Sequence, residues 1–280
     1  MLKFVHLTDP HLVPAPRPLY ALDPRERLAL AVDDINRKQP DAAFVVVTGD
    51  LAHLGEAAAY AELRVILERL SMPCHLVIGN HDSREEFLAA FPDSPRDENG
   101  FVQYVVETPL ADCVMLDSVV AGDHGGMMCE QRLAWLDRVL SERADRDLFL
   151  FVHHPPFDIG LPPLDSIRMM NGEALAPRLA AHGRVRHIFF GHAHRAISGS
   201  WHGIPVSTLP ATAHQSELQF RERVLSPGNH EPPAYGLVLA SADSLMVHTH
   251  FYMDDSPRFI MDHREAEEAA TLADLAAARN

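Results

Sequence analysis

An α/β fold, with helices on the outside of its sheet, is predicted by three features of the sequence. Short runs that are apolar almost throughout, at residues 42–48, 148–152 and 185–190, alternate with longer stretches whose apolar residues recur at helical spacing. Strands of that composition are covered on both faces rather than on one. The last part of the core is rich in short strands, so the sheet is expected to be mixed or doubled.

The elements follow in order. A strand over residues 3–8 ends at Asp9-Pro10, and Pro14, Pro16 and Pro18 keep residues 10–19 extended or turning. Asp23 caps and Pro24 begins a helix whose Leu28, Ala31, Val32 and Ile35 share a face. Pro40-Asp41 ends it, and a strand over 42–48 stops at Gly49-Asp50. The unit then repeats: a helix over 56–70, a strand over 74–78 and the loop Gly79-Asn80-His81-Asp82. Ser83 caps a third helix reaching Phe91, and a polar loop over 92–100 leads to strands near 101–107 and 112–117. A helix over 130–143 precedes the strand 148–152, which ends at His153-His154-Pro155-Pro156. A helix near 172–181 and the strand 185–190 lead to Gly191-His192-Ala193-His194. Strands near 197–201, 204–209, 235–240 and 245–252 complete a single domain over 1–260. Its polar segment at about 212–234 reads as an excursion or cap, and the acidic, Ala-rich tail 261–280 as a solvated helix that frays.

Composition bounds the function. The chain has 280 residues, 47% of them apolar and 22% charged, enough for a full core without disulfides and unlike a disordered chain. A net charge of −15 repels a phosphate backbone and excludes an extended nucleic-acid footprint. A small phosphorylated substrate stays compatible, because bound metal ions reverse the field locally. Cys74, Cys113 and Cys129 are too few and odd in number for a disulfide framework, so buried free thiols are expected. No run reaches the roughly 20 apolar residues of a membrane span, and His6 interrupts the first apolar stretch too early for a signal-peptide core. No membrane partner and a cytoplasmic location are the expectation.

The chemistry sits at strand ends. Asp9-x-His11, Gly49-Asp50, Gly79-Asn80-His81-Asp82, His153-His154 and Gly191-His192-x-His194 each follow an apolar strand. In an open α/β sheet, ligands bind beyond the carboxyl ends of the strands. If these strands are neighbours, Asp9, His11, Asp50, Asn80, His192, His194 and one or both of His153 and His154 meet in one place. Imidazoles and carboxylates without thiolate favour Mn, Fe, Co or Zn over an all-oxygen magnesium site. The number of ligands suffices for two ions if Asp50 is shared between them. Each cluster alone has an ordinary structural reading as a turn or a hydrogen-bonded loop; the five in series do not.

The same series resembles the calcineurin-like metallophosphoesterases, in particular the bacterial class III cyclic nucleotide phosphodiesterases and the glycerophosphodiesterases. The resemblance covers residues 9–194, with Ser207-Thr208-Leu209-Pro210 and His214-Gln215 similar to the glycerophosphodiesterase group. It implies a four-layer α/β sandwich of two mixed β-sheets flanked by helices. It also implies a binuclear site, one ion on Asp9, His11, Asp50 and His194, the other on Asp50, Asn80, His153 and His192. The ligand stands two positions before proline, which selects His153 and leaves His154 behind it. His81 is expected over the substrate as the catalytic donor, with Asp82 holding the loop or orienting His81. The implied reaction is hydrolysis of a small phosphate diester by metal-bound hydroxide, with a glycerophosphodiester-like or broad substrate range. A 3′,5′-cyclic nucleotide is the alternative substrate, and a non-catalytic protein-binding scaffold the distant one. The pocket rim is expected to include His202, His214, Phe220 and the loop 155–170 with Phe157 and Met169; no aromatic cluster presents itself for stacking a nucleobase. A homo-oligomer, dimer or higher, with residues 214–260 as the segment expected to cap a neighbour's site, completes what the resemblance implies.

Overall fold

The computed structural model describes residues 1–221 and 227–258, so the expected tail helix at 261–280 lies outside the described residues. Strand and helix alternate through β1 (Leu2–Leu7), α1 (Pro24–Lys38), β2 (Val45–Thr48), α2 (Ala57–Leu67), β3 (Cys74–Val77) and α3 (Arg84–Ala90). Then come β4 (Tyr104–Val106), β5 (Asp112–Leu116), α4 (Glu130–Glu142), β6 (Leu148–Val152), α5 (Pro162–Asp165), α6 (Ala176–His182) and β7 (Val185–Phe190). The chain closes with β8 (Ile197–Trp201), β9 (Ile204–Thr208), β10 (Gln215–Ser216), β11 (Gly228–Asn229), β12 (Ala234–Ala240) and β13 (Leu245–Phe251). The predicted caps are in place: the Asp23 carboxylate accepts from the Arg25 N–H and the Ser83 hydroxyl from the Glu86 N–H. The four-residue α5 and the two-residue strands β10 and β11 are too short to leave a periodic signal, and the sequence reading misses them.

Two mixed sheets result. One runs β13-β12-β1-β2-β3, parallel through β1, β2 and β3 and antiparallel at β12 and β13. The other runs β4-β5-β6-β7-β9-β8, parallel from β5 through β9 and antiparallel at both edges. Period-two alternation explains why the second sheet's central strands are apolar throughout. Phe149, Phe151 and Phe189 join Phe4, Val45 and Val47 in the core between the sheets, whereas Leu148, Leu150, Val152 and Ile188 pack with Trp135, Leu136 and Leu179 of α4 and α6. At the centre, Phe4 stacks on Phe44 at 4.9 Å and meets the edges of Phe151 and Phe189 at 5.9 and 5.6 Å. Helix, sheet, sheet and helix make four layers. The carboxyl ends of β1, β2, β3, β6 and β7 carry all five polar clusters to one place.

Candidate metal centre

The backbone at these strand ends is unusual. Asp9, His11, Asp50, His192 and His194 all have positive φ, between 45° and 67°, a region that side chains other than glycine enter rarely. Such conformations persist only where the surroundings over-determine them, and they gather at functional sites. Here the Asp9 N–H donates to the Gly49 carbonyl, His11 to Asp50 and Gly191 to His153, so each strained turn is pinned to a neighbouring strand end. Two glycines let the ends close. A Cβ on Gly49 would lie 2.4 Å from His153 Nδ1, and one on Gly79 2.3 Å from Asp50 Oδ1.

Two sets of donor atoms converge below the opening. In the first, Asp9, His11, Asp50 and His194 offer ligand atoms all within 4.8 Å of one another. His11 Nε2 lies 3.0 Å from His194 Nε2 and 3.4 Å from Asp50 Oδ2, and His194 Nε2 lies 3.4 Å from Asp9 Oδ1. In the second, Asn80 Oδ1 lies 3.1 Å from His153 Nε2 and 3.0 Å from His192 Nδ1, while His153 Nε2 is 3.4 Å from Asp50 Oδ1. Asp50 thus turns one carboxylate oxygen to each set. The seven residues expected from the sequence are brought together, and His154 separates from them. Its Nδ1 meets Ser118 Oγ at 2.7 Å and its Nε2 donates to the His124 carbonyl, which leaves it no free nitrogen.

This donor set calls for cations. His153 Nδ1 donates to the Thr48 carbonyl and His194 Nδ1 to the His214 carbonyl, both at 2.8 Å. Their Nε2 lone pairs therefore face carboxylate or amide oxygens, acceptor against acceptor. A metal ion, or a proton, reconciles such a cluster. Burial alone would depress the His153 imidazole, yet the carboxylates of Asp50 and Asp9 hold it up at about 9. His194, equally buried, is raised by Asp9. Proton and metal compete for the same nitrogens.

Of the two duties expected of Asp82, holding the loop or orienting His81, the structure shows the first. The Asp82 carboxylate accepts from the N–H groups of Gly79, Leu51 and Ala52 and from the Tyr60 hydroxyl, at 2.8 to 3.0 Å. With those bonds it braces the loop under Asn80, and it does not orient His81. Burial and the nearby Asp50 push its carboxyl up to about 6. His81 is held instead by the His53 carbonyl, which takes its Nδ1 proton at 2.8 Å, and by stacking on the His53 ring at 5.0 Å.

Above the centre opens a cavity of about 480 Å³, reached by His81, His53, His124, His214 and Tyr20. His214 takes its expected place, 4.6 Å from the His194 ring, and burial with His194 pushes its imidazole down to about 3. Four rim expectations need correction. His202 begins the two-residue turn from β8 into β9; because β9 runs parallel to β7, that turn lies at the sheet edge opposite the site, where His202 pairs with Glu173. Phe157 packs on Phe190 and Trp201, Met169 is buried in the outer core, and Phe220 is exposed outside the cavity. Loop 155–170 does contribute, through Leu164 and Ile167. The polar excursion folds its β10–β11 hairpin over the cavity of its own chain. His53, His124 and Tyr20 are missed by sequence reasoning. Of these only His53, three residues after Asp50, had a local signal.

A buried cluster shared by one carboxylate at the carboxyl ends of two facing sheets defines a metal-dependent hydrolase. Residues 2–196 match the calcineurin-like phosphoesterase family, and the chain belongs to it. A probable cyclic nucleotide phosphodiesterase of Rhodopseudomonas palustris is 48% identical over 92% of this chain and 95% of its own length. A cAMP/cGMP dual-specificity phosphodiesterase of Mycobacterium tuberculosis is 33% identical over 76% of this chain and 68% of its own, and a glycerophosphodiester phosphodiesterase of Enterobacter lignolyticus 31% identical over 76% and 78%. A dimetal phosphatase from Danio rerio shares the fold, with a TM-score of 0.71 at 17% identity over 90% of this chain and 97% of its own. Among the described residues no helix is long and apolar enough to cross a membrane.

Proposed function

We propose that the protein hydrolyses 3′,5′-cyclic nucleotides. The observation that carries this reading is the 48% identity, along nearly the whole of both chains, to a probable cyclic nucleotide phosphodiesterase. A cavity of about 480 Å³ over the paired donor sets, in the range of small-ligand sites, agrees with it. In this reading Asp9, His11, Asp50 and His194 hold one ion and Asp50, Asn80, His153 and His192 the other. The ions, when bound, supply the Lewis-acid charge that offsets the phosphoryl oxygens and activates water. Asp50, which turns one carboxylate oxygen to each donor set, would be common to both ions, and the carbonyls of Thr48 and His214 fix the tautomers of His153 and His194 so that Nε2 faces inward. His81 lines the cavity with its Nδ1 committed to the His53 carbonyl, which leaves Nε2 as the ring nitrogen free to meet the phosphoryl group or the departing oxygen.

Purified protein loaded with manganese is to be offered cAMP, cGMP and glycerophosphodiesters under identical conditions. The expected result is a higher kcat/KM for a cyclic nucleotide, with a nucleoside monophosphate as the product. A preference for glycerophosphodiesters would replace this reading with the small-diester one, which the Enterobacter lignolyticus relative supports.

A further inference from the structure

Tyr20 stands at the apex of a turn that its sequence disfavours. Leu19 and Leu22 exchange both backbone hydrogen bonds, at 2.9 and 3.0 Å, so Tyr20 and Ala21 are the two central residues of a tight reversal. Both have positive φ, 48° and 64°. That is the pattern of a type I′ turn, whose usual occupants are Asn and Gly. The chain contains a control for comparison: the β8–β9 hairpin turns through His202 and Gly203, also both at positive φ, and there the second position is the glycine that the geometry favours. Neither residue of the Tyr20 turn eases its conformation. A backbone outlier held in place without a suitable residue points towards function.

The ring is where a ligand would meet it. Tyr20 is 62% exposed, yet it lines the cavity and stands edge-on to His214 at 4.7 Å and to His53 at 5.9 Å. His214 in turn lies 4.6 Å from the His194 ring, so two ring contacts separate Tyr20 from the metal ligands. The hairpin that covers the cavity fastens the turn, His230 Nε2 donating to the Tyr20 carbonyl at 2.8 Å. The Tyr20 hydroxyl has no protein partner among the described residues. What the turn presents is an aromatic surface at the outer end of a cavity whose inner end holds the two donor sets.

On the cyclic nucleotide reading, we propose that Tyr20 is the platform on which the nucleobase stacks, and so a specificity-determining residue. Base–aromatic stacking is tolerant of base identity, because every base has a π-face, so the platform recognises a nucleobase without choosing between adenine and guanine.

The test compares cAMP with the base-free 1-O-methyl-ribose 3′,5′-cyclic phosphate on manganese-loaded wild type, Tyr20→Asn and Tyr20→Phe. Asn keeps a residue suited to positive φ while removing the ring; Phe keeps the ring and removes the hydroxyl. Tyr20→Asn is expected to lower kcat/KM for cAMP about tenfold or more, through KM, with no change for the base-free substrate. Tyr20→Phe is expected to match wild type on both. Equal losses on the two substrates, or none on either, would overturn the platform while leaving wild-type cAMP hydrolysis in place. Wild type that cleaves glycerophosphodiesters but neither cyclic phosphate would remove the cyclic nucleotide reading, and the platform with it.

Discussion

The floor and the rim of the cavity are built in opposite ways. The floor is made by strand ends from both sheets, with Asp9 and His153 fully buried, Asp50 only 2% exposed, and strained backbones pinned by bonds between strands. The rim is a two-residue turn, the four-residue α5 and a hairpin of two-residue strands, with Tyr20 62% exposed. Few contacts hold the rim, so its side chains can change at small cost to the fold, whereas any change at the floor disturbs packed neighbours. The proposed metal ligands sit where the molecule is over-determined, and the proposed platform where it is not. The largest expected effect tests that division at its centre. Asp50→Ala removes the carboxylate common to both donor sets and should cost more than the about 10–100-fold that losing an outer partner costs a metal site. Metal analysis should find both ions depleted; one ion at full occupancy would show that Asp50 does not bridge.

The same division explains what the sequence revealed. Every proposed floor ligand sits at the end of an apolar strand, so local patterning pointed to six of them and to the pair His153-His154, between which only the family resemblance chose; the paired strands followed from the alternation of helix and strand. The rim left almost no local signal. Tyr20 reaches the cavity only because Leu19 and Leu22 pair, a turn that Tyr-Ala does not announce. His124 is brought in by a loop that Gly126 lets pass against His154, where a Cβ would lie 2.5 Å from the ring. His202 misled for the complementary reason: a histidine after a strand looks like its neighbours in the series, and only the direction of β9 shows that it belongs to the far edge.

Smaller effects should follow from changes that press on the floor without removing a ligand. An alanine at position 79 would put its Cβ 2.3 Å from Asp50 Oδ1 and 2.8 Å from His153 Cε1. Neither side chain can retreat in a packed site, so Gly79→Ala is expected to destabilise the fold by about 1–3 kcal/mol and to weaken metal binding. Unchanged stability and metal content would mean that the floor is looser than its contacts indicate. Beneath it, the His6 Nε2 meets Thr48 Oγ1 at 2.8 Å, and Thr48 is the residue whose carbonyl holds His153. Burial, with the charge of His187, pushes the His6 imidazole down to about 3. A histidine whose folded value lies below its unfolded 6.5 stabilises nothing by protonation: the unfolded chain takes up the proton first, so stability is lost as pH falls below 6.5. At pH 5 that loss is about 2 kcal/mol for His6. In urea denaturation, the stability difference between wild type and His6→Gln should therefore shift by this amount in favour of the variant from pH 7 to pH 5. A constant difference would show that His6 keeps an ordinary affinity for protons.

The smallest effect sharpens the contrast most, because it makes one substitution at two similar turns. His202→Asn and Tyr20→Asn both place asparagine, which accepts positive φ readily, at the first central position of a tight turn. At residue 202 histidine already tolerates that conformation and its partner Glu173 is exposed, so stability should move by no more than about 0.5 kcal/mol. Activity towards every substrate should stay as in wild type, since the turn lies at the sheet edge away from the metal centre. At residue 20 the same exchange relieves a backbone that tyrosine fits poorly, and the melting temperature should rise slightly even as cAMP hydrolysis falls. A rise in stability with a loss of function at one turn, and neither at the other, is the behaviour of a residue kept for its ring against the preference of its backbone. If Tyr20→Asn instead lowered both together, the ring would be holding His214 and His53 in place, and the rim would be more like the floor than its exposure implies.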